Sequence, residues 1–193
     1  SLRLGVHIAG RTREVGDDPR YRDLIAKWGA NAQRRMFQFL QSQAAVGVIL
    51  VISIALAAHN PDPTLRTIDL ISITLLFLAI VWKTIADLQL RLFNVNRENR
   101  WTVCDVGLWG WSRHPNYFFE WLFWVGVAII AVDLDRHNPY GWLALAAPVS
   151  MYWVLVHVSG IPPLEAHMLR SRGDAFRAYQ RRTSAFFPIP PST

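Results

Sequence analysis

The chain has 193 residues, of which 52% are hydrophobic and 12% aromatic against only 18% charged. That balance fits a single domain and favours a membrane protein before any pattern is read. The net charge of +6 would suit nucleic acid only if basic residues were spread over a folded surface with base-stacking aromatics, and they are not, so no nucleic-acid partner is expected. One cysteine, Cys104, allows neither an intrachain disulfide nor a Cys/His cluster at zinc spacing, so no metal site is expected.

Up to Met36 the chain is polar and arginine-rich, with none of the apolar core of a signal peptide. From Met36 to Ala58 no charged residue occurs, a run long enough to cross about 30 Å of hydrocarbon. A second apolar stretch, Ile68 to Leu90, is interrupted by Asp69 at its start and by Lys83 and Asp87 near its end. A longer polar segment follows from Asn94 to Pro115, and a third apolar stretch, Tyr117 to Val132, carries Glu120 one turn in. The fourth, Tyr140 to Ile161, holds no charged residue except the titratable His157. The breakers His59-Asn60-Pro61-Asp62-Pro63 and Asp135-Arg136-His137-Asn138-Pro139 separate these runs. The expectation is an all-α, polytopic membrane helix bundle of about four transmembrane helices running up and down. After Pro162-Pro163, the charged stretch Leu164 to Arg182 repeats Leu164, Met168, Ala175 and Tyr179 at helical spacing around Gly173. It predicts an amphipathic tail helix folded back under the bundle, and Phe186-Phe187-Pro188-Ile189-Pro190-Pro191 predicts an extended apolar strip docked on the bundle or the lipid interface.

Charge gives the orientation. Eight Lys or Arg precede Met36, four lie between Arg91 and Asn116 and five follow Pro162, whereas Arg66 and Arg136 occupy the opposite loops and Lys83 lies within a helix. By the positive-inside rule both termini are cytosolic. The plain alternative for any one arginine is a topology signal that also attracts anionic lipid.

Three clusters could carry chemistry. Ionisable groups within a spanning helix are costly and by default face one another or a functional path. Lys83 and Asp87 are four residues apart and share a face that continues through Arg91 and Asn94; the alternative is an ion pair between Lys83 and Asp87 that merely neutralises itself. The second cluster is Gly107 through Glu120, where a basic and aromatic loop runs into a helix with Pro115 fixing the approach. The dipole end of that helix points toward Arg113 and His114, while Asn116 and Glu120 share a face. Read singly, Asn116 is a cap, Trp109 and Trp111 are interfacial belt residues, Arg113 is a topology charge and His114 a surface imidazole. The third is the tail, where Glu165, His167, Arg170, Arg172, Arg177, Tyr179, Arg181 and Arg182 could close over the loop, arginine being suited to phosphate. Loop, tail and stripe together predict one cytosolic cavity suited to a nucleotide cofactor, bound without a Rossmann fingerprint.

At Gly107-Leu108-Trp109, Ser112-Arg113-His114-Pro115-Asn116-Tyr117 and Glu120 the sequence resembles the signature of the steroid 5-alpha-reductase-like membrane family, and in particular its bacterial branch of unknown function. The stretches Leu2-Arg3-Leu4 with Asp18-Pro19-Arg20-Tyr21, Gln41 with Gln43, Ala86-Asp87-Leu88-Gln89 through Phe93, and Tyr179 through Arg182-Thr183 to Phe187-Pro188 agree with that branch, so the likeness covers nearly the whole chain. The resemblance implies an integral protein of a bacterial inner membrane that binds NADPH and passes hydride to a carbon–carbon double bond conjugated to a carbonyl in a hydrophobic lipid or steroid-like substrate. It implies that Asp87, Asn116 and Glu120 shape the cofactor site with Arg113, His114 and Tyr117, and that Arg170, Arg172, Tyr179 and Arg182 reach the nucleotide from the tail; a cofactor with two or three phosphates calls for clustered arginines, as at Arg97, Arg100, Arg113 and the tail.

Two departures qualify it. Members of the family carry further helices before Leu2-Arg3-Leu4, and the acid and tyrosine that polarise the carbonyl lie there. Residues 1–193 are thus expected to be one membrane domain forming the C-terminal part of a longer chain, with no catalytic donor named; a shortened relative that has lost activity is the other possibility. Gly110 stands where the branch usually has arginine or another large residue. Two other functions compete. Methyltransferases acting on isoprenylcysteine share an Arg-His-Pro-x-Tyr loop and use S-adenosylmethionine, which calls for acceptors and an aromatic cage rather than clustered arginines. A non-catalytic subunit of a larger membrane assembly, with tryptophans packing against lipid or protein partners, is the third.

Overall fold

The computed structural model describes residue 25 and residues 28–60, 65–132 and 139–191. Two compact units divide at Ala45 and Val46. In the first, a short 3-10 turn, Gly29–Asn31, leads into helix α1, Ala32–Ala58. Gly29 there adopts φ +52°, a conformation glycine enters without a Cβ penalty. Trp28 packs on Phe39 at 6.4 Å between ring centroids.

In the second unit α1 continues from Val46, followed by α2, Thr67–Val95, α3, Pro115–Ala131, α4, Ala146–Trp153, and α5, Ile161–Arg182. Among the described residues there is no strand, only an isolated parallel bridge between Ser112 and Ser184. Three helical stretches, Gly29–Ala58, Thr67–Val95 and Pro139–Arg182, contain windows long and apolar enough to cross a membrane, and the shorter apolar α3 joins them. The 17 residues of α3 rise about 26 Å. The expected all-α membrane helix bundle is therefore what the chain forms, and it is an integral membrane protein. The outward faces say the same. Val51, Ile54, Leu70, Ile71, Phe77 and Trp82 are all exposed, a surface that only a lipid solvent would tolerate.

The interior is made of small residues. Ala79, Ala86, Ala128, Ala131, Ala144 and Ala147 are buried to 1% exposure or less, because helices in lipid associate by close packing rather than by expelling water. Trp124, Val127 and Ala147 form one cluster with Leu50, Leu76 and Met151 around it. Hydrogen bonds tie the helices at the end opposite the loop. Ser53 Oγ donates to the Ala144 carbonyl at 3.1 Å. Arg66 pairs with Asp69 at 2.7 Å and donates to the carbonyls of Ile130 and Val132, while Asn60 Nδ2 also donates to Ile130. Arg66 and Asn60 thereby satisfy carbonyls at the C-terminal end of α3, which no longer have helical partners.

The fourth apolar run is not one regular helix. It passes from a 3-10 stretch, Pro139–Leu145, through α4 into a π turn, Val154–Val158, and then bends at Ser159-Gly160. A Cβ on Gly160 would lie 2.3 Å from the Leu155 carbonyl oxygen, so the bend needs glycine. The tail helix begins at Ile161, with prolines in its first turn, a few residues before the predicted Leu164, and Gly173 (φ +51°, ψ −120°) breaks it internally where the sequence places an interruption.

Gly141 is the tightest contact between segments: a Cβ there would sit 2.0 Å from the carbonyl oxygen of Ala131. Gly141→Ala is expected to lower stability by about 2 kcal/mol or more, read as a fall in unfolding temperature in detergent micelles, whereas Gly47→Ala, where nothing lies within 4 Å, should be neutral or slightly stabilising.

Candidate functional site

The loop between α2 and α3 is built against the end of α2. Gly107 sits at φ +58°, and a Cβ there would meet the Gln89 amide at 2.5 Å. That closeness lets Gln89 Oε1 accept from the Leu108 N–H at 3.1 Å. Trp109 then inserts, buried, and its indole N–H donates to the Ala86 carbonyl at 2.9 Å. Trp109 is thus a strut between loop and helix rather than a belt residue, whereas Trp111, 51% exposed, remains at the surface. A side chain at position 110 would place its Cβ 2.9 Å from the Asp105 carbonyl oxygen, so this loop path favours glycine there.

Pro115 opens α3 with His114 as its N-cap residue. Arg113 and His114 do not face solvent. Arg113 Nε donates to Glu165 Oε1 at 2.8 Å, and its Nη1 donates to the carbonyls of Gln180 and Thr183. His114, 3% exposed, places Nε2 3.1 Å from the same Glu165 oxygen and stacks on Tyr117 at 5.5 Å. Its Nδ1 is buried with no hydrogen-bond partner among the described residues. Gln180 Nε2 donates to the other Glu165 oxygen at 2.7 Å. Around this centre Ser112 Oγ donates to Phe186 and accepts from the His114 N–H, the Arg113 N–H donates to Ser184 at 2.8 Å, and the Tyr179 hydroxyl donates to Trp109. The chain after α5 is held along the loop, and Phe186 and Phe187 pack among Phe118, Trp121 and Tyr152. The predicted apolar strip therefore docks on the bundle.

Burial opposes ionisation of Glu165, but the hydrogen bonds from His114 and Arg113 and the guanidinium charge outweigh it and hold the carboxyl down at about 2, from an ordinary 4.5. Glu165 belongs to the charged helix beyond the apolar run, so this holds outside the membrane-spanning segments.

The remaining polar residues lie elsewhere, in a cleft of about 330 Å³ between α2 and α3. It is lined by Ala79, Ile80, Lys83, Thr84, Asp87, Phe119, Glu120 and Phe123. Lys83 forms an ion pair with Glu120 across the two helices, not with Asp87. Glu120 also accepts from Trp124 Nε1 at 3.2 Å. Asp87 accepts from Asn116 Nδ2 at 2.9 Å, and Asn116 Oδ1 accepts from the Tyr117 N–H at 3.0 Å.

The cavity expected from the sequence is thus distributed over two places. Asp87, Asn116 and Glu120 meet at the cleft. Arg113, His114, Tyr117 and Tyr179 belong to the packed junction of loop and tail. Arg172 donates to the Thr102 carbonyl at 3.0 Å and Arg182 pairs with Asp105, both on the polar segment after α2. Arg170 is exposed on α5. The side chains of Arg97 and Arg100 lie outside the described residues. Lys83 lies in the stripe expected from the sequence but not among the residues expected at the site, and neither do Gln180 and Thr183. The signal for Lys83 was present, a cation about four turns into an apolar helix; its partner depended on how α2 and α3 are rotated.

The chain belongs to the family described as protein of unknown function (DUF1295), matched over residues 1–183. No curated protein and no solved structure matches it.

Because Arg113 is only 11% exposed beside Glu165, Glu165→Gln should cost about 3 kcal/mol at neutral pH by leaving a cation unpaired. Glu165 is depressed in the folded state, so its contribution is complete above 4.5 and is lost as pH falls toward about 2. Thermal unfolding in micelles should show the gap between wild type and variant closing over that interval. A constant gap would mean that the charge of Glu165 does not hold the tail.

Proposed function

We propose that this chain forms the cofactor-binding part of an NADPH-dependent reductase acting on a carbon–carbon double bond conjugated to a carbonyl in a lipid or steroid-like substrate. It would work at the cytosolic face of a bacterial inner membrane, with both termini cytosolic. The observation that carries this reading is the convergence of Lys83, Asp87 and Glu120, with Asn116 bonded to Asp87, on one cleft whose other walls include Ala79, Ile80, Phe119 and Phe123. Such a cleft offers polar groups toward the loop and an apolar wall, which suits a polar cofactor end meeting a hydrophobic substrate. The likeness to the steroid 5-alpha-reductase-like family at Ser112 through Glu120 supplies the reaction class.

The residues present fit one end of the cofactor well. Asp87 and Glu120 are acceptors for a carboxamide N–H and for ribose hydroxyls, and the Asn116 amide can both donate and accept. The phosphates need cations, and Arg113 has committed its fork to Glu165 and the tail carbonyls. Arg182 and Asp105 form a pair whose side chains are 51% and 41% exposed; such a surface pair is worth little, so Arg182 can exchange Asp105 for phosphate, with Arg170 and Arg172 on the same helix. Bound there, the cofactor would supply a hydride. The chain's part is to orient it: the Asp87 and Asn116 pair fixes the ring end, and the loop, held by Trp109 and Tyr179, keeps the start of α3 in place.

A second reading has one observation in its favour. Asp87 and Glu120 beside Phe119 and Phe123 are acceptors next to aromatic faces, the surroundings a sulfonium cofactor prefers. Thermal unfolding of the purified full chain separates the possibilities. At about a hundred times its dissociation constant NADPH should raise the unfolding temperature by about 5 °C or more, with the shift lost in Asn116→Leu, while S-adenosylmethionine changes nothing. A shift with S-adenosylmethionine alone overturns the reductase in favour of methyl transfer. No shift with either, and no nucleotide found by mass spectrometry of the native complex, overturns both in favour of a non-catalytic subunit.

A further inference from the structure

We propose that Lys83 is the group that receives the substrate's carbonyl oxygen, and that the cleft therefore takes an uncharged carbonyl compound rather than a carboxylate. This deepens the reductase reading and rests on it for the reaction, though not for the binding, and it gives the carbonyl a donor within this chain in place of the upstream acid and tyrosine that the family resemblance implies.

The geometry argues for a held cation with donors to spare. Lys83 lies one helical turn, about 6 Å, further into the apolar run than Asp87. If its charge needed only neutralising, Asp87 on the same face would serve, at the favourable spacing of four. Instead Asp87 is engaged by Asn116, and Lys83 reaches across to Glu120. Glu120 is itself fixed on its other oxygen by Trp124, one turn along α3. An ammonium has three N–H donors, and among the described residues Glu120 is the hydrogen-bond acceptor for one of them. The side chain of Lys83 keeps 43% of its exposure and lines the cleft beside Ala79, Ile80, Phe119 and Phe123. A tethered ammonium at the apolar end of a cleft is a binding point for an oxygen carried on a hydrophobic molecule.

Charge narrows the class. Lys83 faces two carboxylates in the lining, Asp87 and Glu120, so a ligand carboxylate would be a third negative group in a poorly solvated place. A neutral ketone, aldehyde or ester oxygen accepts from Lys83 without that repulsion. In the proposed reduction a bound dihydronicotinamide would supply the hydride with its electron pair and be oxidised to the nicotinamide. A C–H bond forms at the β carbon as the C=C π bond breaks, and the displaced pair moves onto the carbonyl oxygen. Water supplies the proton that completes the α carbon, restoring the carbonyl. The Lys83 ammonium lowers the barrier by donating to that oxygen as its charge grows.

The test uses the full chain in nanodiscs with 4-decylcyclohex-2-enone carrying a ¹³C carbonyl, and undecanoate as the charged comparison. Infrared difference spectra should show the bound carbonyl stretch moved to lower wavenumber in wild type and returned to the unbound position in Lys83→Met. The dissociation constant for the enone should rise about tenfold. Undecanoate should bind wild type more weakly than the enone. Lys83→Met/Glu120→Gln, which removes both charges and leaves no carboxylate unpaired at position 120, should behave like the single variant and guards against a folding defect. Retention of the wild-type stretch and affinity in the double variant, a wild type with no shifted stretch, or preference for undecanoate would each overturn the proposal. If the stretch depends on Lys83 but NADPH does not stabilise the wild type, Lys83 remains the carbonyl's binding point and the reductase reading alone fails.

Discussion

One carboxylate organises the polar end of this bundle. Glu165 lies between Arg113 and His114, its second oxygen taken by Gln180, and through Arg113 the same centre reaches the carbonyls of Gln180 and Thr183. Chain segments more than fifty residues apart are joined in a place where neither charge would be tolerated alone. The consequences run outward. With Arg113 fixed, Ser112 and Ser184 align as a short parallel bridge, and with the tail so placed Phe186 enters the aromatic cluster of Phe118, Trp121 and Tyr152. His114 is set as the first flanking residue of α3, which fixes where Asn116 and Glu120 emerge.

That dependence separates two roles that a string of arginines and aromatics suggests are one. Part of the basic and aromatic signature is architecture: Arg113, His114, Trp109 and Tyr179 hold the loop and tail together. The part left facing a cleft is smaller and more acidic, comprising Lys83, Asp87 and Glu120, with Asn116 bonded to Asp87. The division has a physical cause. A helix entering the bilayer must satisfy the backbone and charged groups at its end, and in a chain of this size those groups satisfy one another.

Much of the fold was legible in the sequence. The apolar runs gave the helices, Pro115 gave the start of α3, and Gly173 gave the break in the tail, because length, hydropathy and φ restrictions are local properties. The fourth run was less so, since its passage through 3-10, α and π hydrogen bonding depends on Gly141 and Gly160 meeting particular carbonyls. The site was legible as a set but not as a pairing. Spacing of four suggests Lys83 with Asp87, but the packing of α2 against α3, close where Gly126 meets Leu76 and the Ser72 carbonyl, gives Lys83 to Glu120 instead. Trp109 shows the same limit: an indole can lie at an interface or reach a buried carbonyl, and only the position of Ala86 decides between them.

The central claim is that the cleft at Lys83, Asp87, Asn116 and Glu120 receives the cofactor. Its most direct test is chemical protection of a single cysteine placed at Thr84, which lines the cleft, in a Cys104→Ser background. Saturating NADPH should slow alkylation of the Thr84→Cys variant several-fold and leave a Phe77→Cys control on the exposed outer face of α2 unaffected. If NADPH stabilises the protein while alkylation at position 84 proceeds at its unliganded rate, the cofactor binds elsewhere and the account of the cleft is contradicted.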